Sequence, residues 1–242
     1  MLRKIKRIFK KKSYNYTKKF KTYNLVESFL GKSNLYFDTR YSKKFFAPQD
    51  VESLERFYAA SLIAILLNKK KLSILDIGGG SNPIFSYIKK STGLSIYCTV
   101  LETKKFVNII SKKVPNKFKK YIKYEWDINK IKKKFDIVCF ISSIQYFKNY
   151  EKIILELKKS KPEYFIITRT FFHKNKENFF SVEHSIPGSS HPYIFFSFKK
   201  MNFFFNRIGY KLIFQNNYNS NIFSHDSVDK KNFSHKDLVF KR

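Results

Sequence analysis

The segment 73–83, with the sequence SILDIGGGSNP, restricts the fold of this chain more than any other feature. Residues 73–77 are short and mostly apolar, which is typical of a strand covered on both faces. The glycines that follow allow positive φ angles and leave room for a ligand to approach the backbone. Pro83 then suits the first position of a helix. This order predicts the ligand-binding corner of an open α/β sheet.

The spacing of the glycines distinguishes between the ligands that bind such a corner. A phosphate-binding P-loop requires a Gly-Lys-Ser/Thr ending, and no lysine lies between Gly78 and Ile88. The dinucleotide fingerprint requires another glycine three residues after Gly80, where this chain has Pro83. A nicotinamide-dependent oxidoreductase is therefore disfavoured, and the pattern that remains is Asp76-x-Gly-x-Gly.

This pattern resembles the first motif of class I S-adenosylmethionine-dependent methyltransferases. The resemblance implies that Asp76, Gly78, Gly79 and Gly80 hold the methionine part of the cofactor. That family usually has a further glycine where this chain has Asn82, and asparagine is one of the few residues that also adopt left-handed conformations. The alternative is an ordinary glycine-rich turn between a strand and a helix.

The region from residue 49 onward alternates strands with helices. Predicted strands lie at 73–77, 95–101, 121–126, 135–141, 164–168, 211–215 and 237–241, and predicted helices at 50–67, 84–90, 104–112, 150–159 and 198–208. This alternation predicts a parallel sheet with covered faces. With the methyltransferase resemblance, it predicts a Rossmann-like, seven-stranded α/β domain over residues 49–242, with a substrate-side insertion at 172–197.

Two acids follow predicted strands. Glu102 lies 22 residues after Gly80, where a carboxylate can accept hydrogen bonds from ribose hydroxyls; it would otherwise be a surface acid that caps the next helix. The resemblance implies that Asp127 bonds the adenine amino group while its apolar neighbour covers the ring. Asp127 fits equally well as the N-cap of the short segment that follows.

The segment 135–146, FDIVCFISSIQY, resembles the fourth methyltransferase motif. It is similar to the form found in small-molecule methyltransferases, and the resemblance places Ser142, Ser143 and Gln145 beside cofactor and substrate. The chain lacks the Asn/Asp-Pro-Pro-Tyr and Pro-Cys sequences of enzymes that methylate nucleic-acid bases. A nucleic-acid substrate is therefore disfavoured.

The predicted insertion contains three of the five histidines, His173, His184 and His191. Histidines beside a cofactor site are candidates for a general base, and His184 is the first candidate, ahead of His191 and His173. Arg169, at the end of the preceding strand, is expected to bind an anionic part of the acceptor. The spacing of these residues predicts no metal site.

Several short sequences over residues 50–215 occur in the same order as in a narrower group. They are SSxQY, TRTF, VEHxxP, PYxFFS and RxGY. They resemble an uncharacterised family of methyltransferases associated with bacterial surface-polysaccharide biosynthesis. The resemblance does not identify the acceptor; our hypothesis is O-methylation of a sugar or small polar acceptor with S-adenosyl-L-methionine.

The net charge of +31 would ordinarily indicate a nucleic-acid or membrane partner. However, the enriched residue types, Lys, Asn, Ile, Phe and Tyr, all have AT-rich codons, so an AT-rich genome is a competing explanation for much of the charge. Lysine also far outnumbers arginine, whereas arginine is favoured for reading grooves and phosphates. A basic binding protein with a vestigial Rossmann site remains the alternative function.

Residues 1–48 are predicted to be a basic, partly irregular extension. Residues 1–23 contain ten Lys or Arg and no acid; they fit both an amphipathic helix on anionic lipid and a solvated basic arm. The apolar run 59–67 is too short to span a bilayer, and no signal peptide is visible. Cys98 and Cys139 lie in predicted buried strands. We therefore expect a cytoplasmic protein, with the inner membrane face as an optional contact of residues 1–23.

Overall fold

The computed structural model describes residues 15–31, 67, 69–80, 84–85, 88, 93–131, 133–184, 190–218 and 223–242. The amphipathic stretch predicted near the N-terminus and the helix predicted at 50–67, apart from Leu67, lie outside these residues. Within the described part of the chain, no helix combines the length and apolar character that a membrane crossing needs.

The strands are β1 (Tyr16–Phe20), β2 (Lys71–Ile77), β3 (Ser95–Leu101), β4 (Ile122–Glu125), β5 (Ile137–Ile141), β6 (Tyr164–His173), β7 (Phe179–Glu183), β8 (His191–Ser197), β9 (Lys211–Tyr218) and β10 (Phe233–Lys241). The α-helices are α1 (Tyr23–Leu30), α2 (Lys104–Ile110), α3 (Asn116–Lys119), α4 (Tyr150–Lys158) and α5 (Phe198–Arg207). Short 3₁₀ turns occur at Ile128–Lys130, Ile144–Tyr146 and Lys230–Asn232.

The main sheet has the strand order β4-β3-β2-β5-β6-β10-β9. Strands β2 to β6 are parallel, and β10 is antiparallel to both of its neighbours. All seven predicted strands are present, but the predicted count is wrong because ten strands form within the described residues. The three additional strands, β1, β7 and β8, form an annex of antiparallel neighbours.

The annex arises from segments in which the sequence predicted no strand. Strand β1 belongs to the predicted basic extension, while β7 and β8 belong to the predicted insertion. The sequences of β7 and β8, FFSVE and HPYIFFS, are almost wholly buried. Apolar and aromatic runs of this kind fit strands covered on both faces.

The long strand β6 fixes the position of the annex. Phe172 and His173, at its end, pair with β10 on one edge and with β8 on the other. Earlier in the same strand, residues Tyr164–Thr168 pair with β5. Strand β8 therefore follows on from β5 along one edge of β6, so the annex lies beyond the carboxyl end of the main sheet.

Both faces of the main sheet are covered. Leu75, Val138 and Phe165 pack against α4 and α5 on one face, and residues including Ile74 and Ile166 pack against α2 on the other. A third cluster, which is largely aromatic, joins the annex to β6 and β10; it consists of Tyr16, Phe171, Phe179, Tyr193, Phe195, Phe223 and Phe233.

We expect Phe240→Ala to destabilise the fold by about 3–5 kcal/mol, because it leaves a cavity in a closely packed core. The Phe240 side chain is fully buried and stacks on Phe205 with ring centroids 3.9 Å apart. Phe203→Ala is the control, since Phe203 is 67% exposed on the same helix as Phe205. Urea unfolding should show a change of no more than about 0.5 kcal/mol for the control, and equal effects would contradict this packing.

Candidate functional site

The ends of β2, β3 and β4 meet at one edge of the sheet because these strands are parallel. The edge continues past the strands, since the amide of Gly78 donates to Leu101 O and the amide of Glu102 to Glu125 O, both at 2.9 Å. The glycine turn, Glu102 and the residues after Glu125 are therefore brought together, as the sequence predicted.

Asp76 holds the glycine turn from below. Its side chain is buried, and its Oδ2 accepts a hydrogen bond from the Ile84 amide at 2.9 Å, across the turn. A Cβ atom on Gly79 would collide with the Asp76 carboxylate. The predicted acid therefore acts on the turn itself: it fixes the backbone that would contact the cofactor.

Gly78 joins the turn to the end of β5. It has a φ of 70°, and a Cβ there would lie 2.7 Å from the Cβ of Ser143, so only glycine allows this approach. The Ser143 hydroxyl donates to Ile77 O at 2.5 Å. Ser143 is thus a support of the site, because its hydroxyl is bonded to the backbone of β2.

Gly80 lies between Glu102 and open space. Its amide donates to Glu102 Oε1 at 3.0 Å, and the Thr103 amide donates to Oε2 at 3.1 Å. Burial raises the pKa of Glu102, partly offset by these two bonds. A Cβ on Gly80 would meet no atom of the described residues within 4 Å. An ionised carboxylate has about four acceptor positions, so Glu102 retains capacity for the ribose hydroxyls of a ligand above Gly80.

The end of β4 carries Trp126 and Asp127. Asp127 Oδ1 accepts the Asn129 amide at 2.9 Å and caps the 3₁₀ turn that follows, which confirms the capping alternative; the adenine contact stays a prediction. Trp126 is 40% exposed, and the Nζ atoms of Lys104 and Lys130 each lie 4.9 Å from its ring centroid. An exposed aromatic ring is therefore available at the edge where adenine was expected.

Two non-glycine residues, Ser142 directly after β5 and Arg169 within β6, adopt left-handed backbone conformations. Ser142 and Arg169 both have a φ of 53°, a conformation that costs energy and is concentrated at functional sites. The Ser142 amide donates to Thr168 O at 3.0 Å, and the Arg169 amide donates to Asp237 Oδ1 at 2.9 Å. The pairing of β6 with β10 shifts register here, which indicates a β-bulge that redirects the Arg169 side chain.

Arg169 is half-buried, and no carboxylate of the described residues lies within 4.0 Å of its guanidinium. Its charge acts on His235: burial, and then Arg169, lower the pKa of His235 to about 3. The His235 ring is held against Phe171, with centroids 3.7 Å apart. At this bulge, the Arg169 cation lacks an acidic partner among the described residues. The histidine that its charge affects, His235, is buried and neutral. This combination suits an anionic ligand group.

His173, another candidate base, has backbone partners at both ring nitrogens. Its Nδ1 accepts the Asn175 amide at 3.2 Å, which leaves Nε2 to donate to Phe195 O, also at 3.2 Å. Both ring nitrogens are therefore engaged at the far end of β6, and burial lowers the pKa of the ring.

His184 and His191 lie at the end of the annex nearest to β5. His184 is exposed, and its two ring nitrogens lie 2.7 Å from the Thr17 hydroxyl and 2.8 Å from the Ser190 hydroxyl. His191 is buried, and its ring packs edge-on to that of Tyr146 with centroids 6.4 Å apart. Burial lowers the pKa of both histidines, so both are expected to be neutral at pH 7.

Glu183 is a candidate that the sequence interpretation missed. The carboxylate is buried and accepts the Tyr146 hydroxyl at 2.6 Å and the Tyr16 hydroxyl at 3.4 Å. Tyr146 is the tyrosine of the SSxQY segment, and its 3₁₀ turn begins beside Ser143. The presence of Glu183 in the VEH segment was the available signal, but only the pairing of β7 and β8 brings it to Tyr146.

Gln145 and Thr170 connect the 3₁₀ turn to β6. The Thr170 hydroxyl donates to Gln145 Oε1 at 3.4 Å, and both residues are buried. Among the described residues, no group of three or more His, Cys, Asp or Glu side chains is arranged to hold a metal ion.

Solved structures that contain S-adenosylhomocysteine, two of them of methyltransferases, share this fold. Magnesium protoporphyrin IX methyltransferase from Synechocystis PCC 6803, with bound S-adenosylhomocysteine, aligns with a TM-score of 0.57 at 10% identity over 91% of this chain and 99% of that chain. The 1,6-didemethyltoxoflavin-N1-methyltransferase from Burkholderia thailandensis, also with S-adenosylhomocysteine, gives 0.53 at 10% identity over 84% and 86%. The N-terminal domain of EvdMO1, in the presence of S-adenosylhomocysteine and D-fucose, gives 0.52 at 10% identity over 80% and 84%.

No protein-family model matches this chain, and no curated protein matches it in sequence. At these low identities, the likeness to solved structures establishes the fold. The chain has the α/β, Rossmann-like fold of the S-adenosylmethionine-dependent methyltransferases, as the sequence predicted.

We expect His235→Phe to reduce the loss of stability in mild acid. Burial, and then Arg169, lower the folded-state pKa of His235 from its ordinary 6.5 to about 3, so between these pH values the unfolded chain binds a proton that the folded chain does not. Stability is therefore lost as the pH falls from 6.5 towards 3, by up to about 1.4 kcal/mol per pH unit. Phenylalanine at position 235 retains the stacking on Phe171 but has no group that binds a proton.

Urea unfolding at pH 7.5 and pH 5.0 measures the effect. The wild-type protein should lose about 2 kcal/mol more than the variant between these two values. Equal losses would show that His235 titrates normally in the folded protein.

Proposed function

We propose that this protein is an S-adenosylmethionine-dependent methyltransferase that O-methylates a sugar or small polar acceptor in cell-surface glycan synthesis. The glycine turn is the observation that carries the proposal. Asp76 fixes its backbone, Glu102 bonds its third glycine, and a Cβ on Gly80 would meet no atom of the described residues within 4 Å. A strand, a turn and an acid on the neighbouring strand in this arrangement fit the methionine and ribose parts of the cofactor.

The residues at the carboxyl edge of the sheet would contact successive parts of the cofactor in the order in which they occur in the sequence. The backbone of Gly78, Gly79 and Gly80 would hold its methionine part, Glu102 its ribose, and Asp127 its adenine. S-adenosylmethionine supplies a methyl group activated by the positive charge on sulfur. Ser142 and Gln145 then lie between this edge and β6, where the acceptor would bind.

The annex provides the other wall of the acceptor site. It stands beyond the carboxyl end of β5, and its Glu183 is hydrogen-bonded to Tyr146. Methyl transfer is a single displacement, so holding the two reactants in line supplies much of the acceleration. Arg169 would bind a phosphate or carboxylate of the acceptor through charge-assisted hydrogen bonds, as on a nucleotide sugar.

A sugar acceptor is supported by the residues and by one relative. Hydroxyls of a sugar match the polar groups of this region, and the EvdMO1 domain with the same fold was crystallised in the presence of D-fucose. Because that domain is only 10% identical to this chain, it is a precedent for a sugar beside this fold and not for this particular site. The resemblance to a methyltransferase family associated with surface polysaccharides supports the same acceptor class.

Glu183 joins His184 as a candidate to accept the proton of an acceptor hydroxyl. Glu183 is buried and directly bonded to Tyr146, whose 3₁₀ turn touches the glycine turn through Ser143. His184 is exposed at the edge of the annex and is occupied by two hydroxyls. We therefore favour Glu183.

Calorimetric titration with S-adenosylhomocysteine tests the cofactor assignment. The wild-type protein should bind in the micromolar range, and Gly80→Arg should abolish the heat because the arginine fills the space above the turn. The variant is expected to fold, since a Cβ on Gly80 meets no atom of the described residues within 4 Å, although its φ of 58° adds strain of about 1–3 kcal/mol. Absence of binding by a folded wild-type protein would support the alternative, a binding protein with a vestigial site.

A methyl-transfer assay with nucleotide sugars as the first acceptors tests the proton acceptor. Glu183→Gln should lower the turnover by at least about 100-fold, while His184→Asn should leave it nearly unchanged. S-adenosylhomocysteine affinity is the control and should be the same in both variants. The reverse order of effects would return the role to His184.

A further inference from the structure

The surface formed by β1 and α1 exposes apolar side chains. Leu25 and Phe29 are 51% and 49% exposed, and their four-residue spacing places them side by side on α1. The adjacent face of the helix buries Val26 and Leu30 against Val182 of the annex. Helix α1 is therefore apolar towards the protein and also along an outer strip.

Lysines surround this outer strip. The Lys18 Nζ lies 3.9 Å from the centroid of the Phe29 ring, and the Phe29 and Phe20 rings lie 5.5 Å apart. Lys19 and Lys21, on either side of Phe20, are exposed. Apolar groups and ammonium groups thus alternate over one small surface, as in segments that lie at a membrane interface.

A groove of about 680 Å³ adjoins this surface. It lies between β1, the loop that leads into β7 and the first turn of α5, and its lining includes Lys19, Lys21, Lys200, Phe20, Phe179 and Phe180. Lys200 is paired with Glu177 at 3.0 Å. Among the described residues, Lys19 and Lys21 have no carboxylate within 4.0 Å. The groove therefore offers two uncompensated charges above an aromatic floor.

The groove is separate from the carboxyl edge of the sheet. The groove lies beside His173, whose ring packs on Phe179. His173 is five residues beyond Thr168 along β6. At about 3.3 Å per residue in a strand, this is roughly 16 Å. A ligand in the groove would leave the glycine turn accessible, although the first residue of α1, Tyr23, donates a hydrogen bond to Tyr146 O at 3.0 Å.

We propose that the β1–α1 surface and its groove dock the protein onto an anionic phospholipid membrane. Leu25 and Phe29 enter the interface between headgroups and acyl chains, and Lys19 and Lys21 bind headgroup phosphates. The exposed leucine and phenylalanine favour lipid over nucleic acid, because a sugar-phosphate backbone has no apolar layer to receive aliphatic groups. Lysine stems also extend along apolar surface while their charges remain in water.

Vesicle co-sedimentation with the full chain tests the proposal. The protein should bind vesicles made of mixed phosphatidylglycerol and phosphatidylcholine. It should bind much more weakly to vesicles of phosphatidylcholine alone. The double variants Leu25→Ser/Phe29→Ser and Lys19→Gln/Lys21→Gln should each weaken binding by about tenfold or more. All four side chains are exposed or line the groove, and equal melting temperatures would verify that the variants fold.

Matched controls separate this surface from general charge attraction. Phe203→Ser removes a 67% exposed aromatic side chain from α5, and Lys117→Gln/Lys119→Gln removes two lysines from α3; both should leave binding unchanged. Equal weakening by the controls, or no weakening by the surface variants, would overturn the proposal. Tighter binding to RNA that depends on the same lysines would replace it with a nucleic-acid site. S-adenosylhomocysteine titration of the same variants keeps this result separate from the proposed enzymatic function.

Discussion

The contact between Asp76 and the glycine turn is the constraint on which the rest of the site depends. A buried carboxylate requires hydrogen bonds, and Asp76 obtains one from the Ile84 amide across the turn. The backbone must therefore pass close above the carboxylate, which excludes a Cβ at Gly79, and must bend towards β5, which excludes one at Gly78. Gly80 is then directed to Glu102 and open space.

The second organising feature is the length of β6. It continues beyond Thr168, where its partner β5 has ended, and offers a free edge to β8. The bulge at Arg169 occurs at this transition and is held by Asp237. One strand thus supports both the parallel sheet that forms the cofactor corner and the annex that would enclose an acceptor.

The annex gives the protein two separate surfaces. Its end near β5 holds Glu183 beside Tyr146, and its opposite end forms the groove with Lys19 and Lys21. The proposed methyl transfer and the proposed membrane contact therefore use opposite ends of the annex. A docking site at the far end of the annex would leave the carboxyl edge free to bind cofactor and acceptor.

The sequence by itself determined the parallel core and its glycine corner, because buried strands, glycines and helix caps are local patterns. Asp76 and Glu102 were found in this way, and both lie where they were predicted. The annex and the Glu183–Tyr146 pair were decided only by the tertiary structure. Strand pairing joins residues far apart in the chain, such as Tyr16 and Glu183, and a linear pattern does not encode which partner a strand chooses. For the same reason, the sequence directed attention to the histidines of the insertion, while the pairing of Glu183 with Tyr146 is visible only in the fold.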